Sequence, residues 1–433
     1  MSTLGPSPLA AGERQLSVDE ARAAIAAHLQ PITDRIELPL DGALGRVLAA
    51  DLLSPIDVPS HDNSAMDGYA FDGIGLEVDA PTRLHAVGIA YAGAPWSGKV
   101  GRGECVRIMT GAVMPGGLDT VVPHELCDVQ GDEVRIAPGQ LRAGDNRRHR
   151  GEDLTAGKPA LNAGRRLRPA DLGLIASLGI GTVDVFRPLR VALFSTGDEL
   201  RMLGQPLDAG CIYDSNRHSL MAALRRLDLD VIDLGLVADE PAALRQTLQS
   251  AVEQADVVLT SGGVSMGDAD HTREVLAQVG EVAFWKVAMR PGRPFAFGPL
   301  GRPAGASDAA NAAPAMLFAL PGNPVAALVT FYALVRDALL RLAGATGASA
   351  QPVPTLKVRS AQAIRKRPGR TEFQRGIVEA DSSGGIQVRL TGSQGAGVLR
   401  SMSEANALIV LGHEQGSVAE GEMVDVWVFE GIG

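Results

Sequence analysis

The sequence predicts a multidomain α/β and β protein whose centre is a doubly wound, mostly parallel α/β domain. Two observations carry this. Between residues 190 and 342, short apolar runs alternate with amphipathic helical stretches, the pattern of strand–helix–strand units in a parallel sheet. On either side, residues 61–150 and 356–433 hold short alternating runs broken by Gly, Pro and Asp, the pattern of β domains. At 433 residues the chain also exceeds one ordinary core, since ~150 residues per domain points to about three.

The elements follow in order. Residues 1–14, rich in Gly, Pro and Ala, carry no periodic pattern. Ser17 and Glu20 form a capping box opening a helix, with Val18, Ala21, Ile25 and Leu29 as its apolar stripe and Pro31 beyond its end. Residues 36–60 read as short extended pieces. Within 61–150, strands are expected at 83–89, 104–109, 119–122 and 133–136. A helix at 169–178, closed by Gly179, is expected to pack back on the 17–29 helix. The central domain then runs strand 191–195, helix 216–227, strand 231–237 and a helix opened by Pro241. A strand at 257–260, a helix at 271–279, strands at 282–288 and 315–320 and a long helix at 324–342 complete it. Residues 301–314 read as a surface excursion and 345–355 as a linker. The tail alternates at 356–359, 386–390, 407–411 and 423–428, consistent with a small barrel or sandwich.

Composition narrows the function. A net charge of −10 argues against a nucleic-acid partner, which usually meets a basic face. Three widely spaced cysteines, Cys105, Cys127 and Cys211, form neither a disulfide framework nor a zinc pattern and suit a reducing cytoplasm. The first residues lack the basic and apolar regions of a signal peptide, and no stretch of about 18 apolar residues suggests a membrane span. One local cluster opposes the acidic whole: Arg142, Arg147, Arg148 and Arg150. It is equally a candidate anion contact and a solvated face.

In an open parallel sheet, ligands bind beyond the carboxyl ends of the strands. That rule selects Thr196–Glu199, Asp239–Glu240, Ser261–Asp270 and Pro321–Pro324, four loops on one rim. Ser261-Gly262-Gly263 lets backbone N–H groups approach a phosphate closely. Glu199, Asp239, Asp268 and Asp270 would repel a bare phosphate, so a magnesium ion bridging carboxylate and phosphate is the simplest arrangement. Arg290 and Arg293, after the 282–288 strand, are candidate anion contacts. Each feature has a structural rival. Ser261–Gly263 also reads as a tight turn, Asp198 and Asp268 as helix caps, Glu240 as a first-turn dipole partner, and Pro321 and Pro324 as loop stiffeners. His61, His124 and His218 have no ligand spacing. Neither a P-loop, a G-x-G-x-x-G turn nor a G-x-S-x-G elbow is present.

Seven motifs occur in order: Asp62–Ala70 (DNSAMDGYA), Arg107–Ala112 (RIMTGA), Arg148–Asp153 (RHRGED), Ser195–Leu200 (STGDEL), Tyr213–Arg217 (YDSNR), Ser261–Ser265 (SGGVS) and Leu320–Pro324 (LPGNP). Together they resemble the MoeA and gephyrin E-domain family across nearly the whole chain. The resemblance implies four domains: a segmented linker domain (15–55 plus 151–188), a lasso-like β domain (56–150), a central MogA-like α/β domain (189–345) and a C-terminal β-barrel-like domain (350–433). It implies a homodimer whose active site lies between the central domain of one subunit and the β domain of the other.

The same resemblance implies a molybdopterin molybdenumtransferase, which inserts molybdate into molybdopterin-AMP with magnesium-dependent release of AMP. By motif position, Asp67, Thr110, Glu199, Asp239, Asp270, Pro321 and Pro324 match residues important in the family. Lys286 and Arg290 match basic positions there, and Arg290 and Arg293 stand where lysine is common. Asp239 and Asp270 become the expected magnesium ligands. Ser261, Gly262, Gly263, Ser265, Gly322 and Asn323 fall in substrate-binding loops, and Lys286, Arg290 and Arg147 become candidates to hold molybdate. Expected partners are a MogA-type adenylyltransferase and the molybdoenzymes, or their chaperones, that receive the product. Two other readings are the related adenylyltransferase and a gephyrin-like scaffold. The Asp62–Ala70 motif and added domains disfavour the first, and the lack of a long linker to a further domain disfavours the second.

Overall fold

The computed structural model describes residues 15–263, 271–301 and 313–429, without the side chains of 271–273 and 277. The chain divides into two compact units, one of Asp51–Asn162 with Leu174–Ile180, the other holding the remainder.

In the larger unit, the central strands are β1 Arg190–Thr196, β2 Asp230–Val237, β3 Val257–Ser261, β4 Ala283–Lys286, β5 Pro294–Leu300 and β6 Ala315–Leu320. They form one sheet in the order β2-β1-β3-β6-β5-β4. The pairs β1–β2, β1–β3 and β3–β6 are parallel, whereas β5 pairs antiparallel with both β6 and β4. The sheet is therefore mostly parallel, as the alternating pattern predicts. Strand β5 is absent from the sequence expectation because Pro294, Gly298 and Pro299 break up its apolar run. The sheet is covered on both faces. Val191, Leu193, Val257, Leu259 and Phe318 enter one core. Ala192, Phe194, Val258 and Leu317 enter the other, with helices Pro241–Gln254 and His271–Val279. This two-residue alternation into separate cores is what double winding requires.

The capping box at Ser17 forms as expected. Ser17 accepts from the Glu20 N–H at 3.2 Å, and Glu20 accepts from the Ser17 N–H at 2.8 Å. The helix it opens, Val18–Ala26, does not bury its stripe on the Pro169–Ser177 helix. Val18, Ala21 and Ile25 join the core on the β1–β3–β6 face instead, a core that contains no residue of 169–177. The reason is area: that face supplies a larger apolar surface than one short helix can. The expected 324–342 helix is continuous in path but carries a π-helical segment, Phe331–Val335, in the middle.

The C-terminal strands Thr355–Ser360, Thr371–Ala380, Ile386–Leu390, Ala407–Leu411 and Met423–Val428 close into a five-stranded barrel, because Thr371–Ala380 pairs with both Ile386–Leu390 and Ala407–Leu411. Met289–Arg290 adds in parallel to the start of Thr371–Ala380, stitching the β4–β5 connection to the barrel. In the smaller unit, six strands between Gly68 and Ile136 form one sheet with separate apolar clusters around Val106 and Val122. All four strands expected there are present.

Candidate active site

At the carboxyl end of the central sheet lies a cleft of about 720 Å³. Four strand ends feed it. Thr196, Gly197 and Glu199 follow β1, Asp239 follows β2, Ser261–Gly263 end β3, and Pro321–Asn323 follow β6. The connection Met289–Pro294 forms another wall, and Arg370, Gln394 and Ala396 of the barrel complete it.

Local backbone chemistry explains how the loops come so close. Gly262 has φ +94°, and its N–H donates to the Leu320 carbonyl at 3.1 Å. A Cβ there would sit 2.2 Å from the Thr196 carbonyl oxygen. Only glycine supplies both the left-handed conformation and the clearance. Gly292, at φ +97°, has the same constraint against the Thr330 hydroxyl, 2.2 Å from an added Cβ.

The rim is held by a buried polar network. Asp214 caps the Ser215–Arg225 helix by accepting from the Arg217 N–H at 3.1 Å, and also accepts from the Ser195 hydroxyl at 3.1 Å. Arg217 reaches Asp233 of β2 at 2.6 Å. The Asn216 amide donates to the Ser261 hydroxyl and to the Gly322 carbonyl, both at 2.7 Å. Two buried oxygens of cleft residues, Thr196 Oγ1 and Asn216 Oδ1, have no hydrogen-bond partner among the described residues. Buried polar atoms are normally satisfied, so such orphans mark a place where a ligand or water is expected.

Cations gather on the barrel side. Arg290 keeps 58% of its side chain exposed and lies 3.9 Å from Glu372. Glu372 is buried and accepts from Arg370 at 2.8 Å. A second cavity of about 810 Å³ shares Arg290, Arg293 and Arg370 with the cleft and adds Arg365, Lys366 and Arg367. On a chain of net charge −10, this is a strongly cationic corner, suited to anions.

Of the residues named from sequence, Glu199, Asp239, Ser261, Gly262, Gly263, Arg290, Arg293, Pro321, Gly322 and Asn323 line this one cleft. Pro324 begins the following helix and Lys286 ends β4 opposite Pro294, and neither lines it. Ser265, Asp268 and Asp270 lie outside the described residues, as do most of 301–314 and all of 1–14. Among the described residues no group of three or more His, Cys, Asp or Glu forms a metal cluster.

Asp67, Thr110 and Arg147 belong to the smaller unit. One Asp67 oxygen accepts from both the N–H and the hydroxyl of Thr110, at 2.6 and 2.7 Å. Those two bonds hold its carboxyl below the usual range. Arg147 pairs with Asp62, Arg148 with Glu152 and Arg150 with Asp57. These arginines are thus carboxylate-paired.

Sequence reasoning placed Thr196 on the rim but left Asn216, Arg370 and Gln394 unassigned. Asn216 sits in the Tyr213–Arg217 motif, which was a usable signal. Arg370 and Gln394 enter from the barrel and carried no local signal.

Comparison with known proteins decides the family. Residues 16–179 match the family described as MoeA N-terminal region (domain I and II). Residues 192–341 match the probable molybdopterin binding domain and residues 357–429 the MoeA C-terminal region (domain IV). The molybdopterin molybdenumtransferase of Haemophilus influenzae is 40% identical over 96% of this chain and 98% of its own. The chain belongs to the MoeA family of molybdopterin molybdenumtransferases. Gephyrin of Dictyostelium discoideum is 31% identical over 94% of this chain and 61% of its own. A crystal structure of the molybdopterin biosynthesis moeA protein from Pyrococcus horikoshii OT3 superposes with a TM-score of 0.78 at 26% identity, covering 96% of this chain and all of that one. The MoeA family is one of transferases, and the cleft described above falls largely within its molybdopterin binding domain. No described helix of this MoeA-family chain is long and apolar enough to cross a membrane.

Proposed function

We propose that this protein transfers molybdenum from molybdate to molybdopterin-AMP, releasing AMP and completing the molybdenum cofactor. One observation carries the reading. Amide-rich turns, carboxylates and a cationic wall, encoded by separate loops, meet on a single cleft large enough for a nucleotide-tagged ligand.

Each part has a task. The Ser261–Gly263 turn faces the phosphates of the adenylate, its glycines allowing close approach and the Gly263 N–H left to donate once the Gly262 N–H is given to the Leu320 carbonyl. Arg290 and Arg293 offer planar donor forks to molybdate, an anion of charge −2. Asp239 and Glu199 would hold a magnesium ion, which needs only one or two protein carboxylates. Asp239 is the first choice, and Asp270 the second expected ligand. When bound, magnesium neutralises the phosphate charge and polarises the phosphorus–oxygen bonds. No protein nucleophile is called for, in keeping with Cys105 being buried and all three cysteines lying outside the cleft. Arg147, Lys286, Ser265 and Pro324 are assigned to substrate contacts reached when the site is complete. Completion uses a second copy of the chain, whose Asp67 and Thr110 face the cleft of the first.

The reading extends to the cell. The protein works in the cytoplasm, takes its substrate from a MogA-type adenylyltransferase and hands its product to molybdoenzymes or their chaperones. The test is reconstitution. Protein supplied with molybdopterin-AMP, magnesium and molybdate should activate a cofactor-free molybdoenzyme. Activation that is equally strong without the protein at micromolar molybdate refutes the assignment.

A further inference from the structure

The Tyr213–Arg217 motif has no role in the chemistry above, yet Asn216 lies at the junction of three strand ends. It is the second residue of its helix, and the helix start is fixed from two sides: by Asp214 to Ser195 of β1, and by Arg217 to Asp233 of β2. From that fixed point the Asn216 side chain reaches the ends of β3 and β6. The residue is almost wholly buried, at 7% exposure.

The orientation of the amide follows from its partners. The Gly322 carbonyl can only accept, so the amide nitrogen must face it. The same nitrogen lies 2.7 Å from the Ser261 hydroxyl. That hydroxyl has its own proton directed to the Pro321 carbonyl, at 3.4 Å. Every proton in the chain Asn216–Ser261–Pro321 therefore has one acceptor, and the two N–H groups of Asn216 are both used. Asn216 Oδ1 is left without a partner among the described residues. An aspartate of identical shape could accept from the Ser261 hydroxyl only by pulling its proton off the Pro321 carbonyl, and would set a negative oxygen against the Gly322 carbonyl.

From this we infer that Asn216 is a positioning residue that clamps the Ser261–Gly263 turn to the Pro321–Asn323 turn, so that the Gly263 N–H and those of Gly322 and Asn323 present one preformed seat to the phosphate of the adenylate. The inference rests on the proposed function, because that reading places the phosphate at these turns. Loops held this way need no reordering when the ligand arrives, which is where preorganisation yields affinity.

The probe is AMP with magnesium, titrated calorimetrically into the whole protein. Wild type should bind AMP, and Asn216→Asp should bind it about 10- to 100-fold more weakly, as expected when the bond to the Gly322 carbonyl is replaced by repulsion between two oxygens. Ser261→Ala should weaken binding as well, and the double variant should be little worse than Asn216→Asp alone, because both substitutions cut one network. A merely structural asparagine would instead lower the unfolding midpoint and leave AMP affinity per folded molecule unchanged. Where Asn216→Asp does not fold, Asn216→Ala makes the same comparison without adding charge. Wild-type affinity in these variants, or fully additive losses in the double variant, overturns the clamp and leaves the transferase reading standing. Wild type that does not bind AMP at all overturns both.

Discussion

Thr110 delivers its backbone N–H and its hydroxyl to the same oxygen of Asp67, at 2.6 and 2.7 Å. Forty-three positions apart, the two residues meet because Gly68–Phe71 pairs antiparallel with Glu104–Ile108. Both bonds favour the ionised carboxylate, so its pKa lies below the ordinary value. A lowered folded pKa means stabilisation that is present above the unfolded value and lost as pH falls through the folded one. Thr110→Val removes the hydroxyl bond. The Asp67 carboxyl resonance, followed by NMR, should then titrate at higher pH than in wild type. An unchanged midpoint would show that the hydroxyl does not contribute.

Gly262→Ala should fail for two reasons that act together. The backbone is left-handed at φ +94°, and the new methyl would meet the Thr196 carbonyl at 2.2 Å. Relief requires the β1 and β3 ends to part, at a cost of about 1–3 kcal/mol. Urea unfolding should register that loss, and AMP binding should fall with it. A variant of wild-type stability and affinity would contradict the geometry.

Asp239→Ala tests the metal assignment. The residue lines the cleft and is half-buried, so the fold should survive. Turnover should fall by on the order of 100-fold or more, the scale on which removing one preorganised electrostatic group acts. Raised magnesium should recover part of the loss. Turnover equal to wild type would remove Asp239 from the site.

Arg375 is the largest fully buried side chain of the barrel, at 1% exposure. Its guanidinium donates to the Ser401 hydroxyl and to the Ser393 and Gly395 carbonyls. Burial, aided by the like charge of Arg290, pushes its pKa down to about 10. It also ties down the 393–395 segment beside Gln394 and Ala396 of the cleft. Arg375→Lys keeps the charge and loses the planar fork, so the chain should be less stable by about 1–3 kcal/mol in urea unfolding. Undiminished stability would mean the fork is dispensable.

The sheet was legible because β1, β3 and β6 are apolar on both faces, which only a doubly covered strand tolerates. The cleft was legible by the same logic, since strand ends on one edge must share it. Other features were invisible for physical reasons. Thr371–Ala380 carries Glu372, Gln374 and Arg375, whose burial depends on partners elsewhere in the barrel. The π-helical turn at Phe331–Val335 leaves no mark on the apolar pattern. The pairing of Arg147 and Arg150 was hidden in sequence because their carboxylates, Asp62 and Asp57, lie 85 and 93 positions away. Asn216 stood in a recognised motif, but its double contact needed three strand ends to be placed first.

Release of AMP tests the central claim most directly. The protein is mixed with molybdopterin-AMP and magnesium, and AMP is quantified by chromatography with and without molybdate. One AMP should appear per cofactor formed, with molybdate required, and Asp239→Ala should release little. Wild-type protein that binds the adenylylated pterin and molybdate together yet releases no AMP would contradict the account.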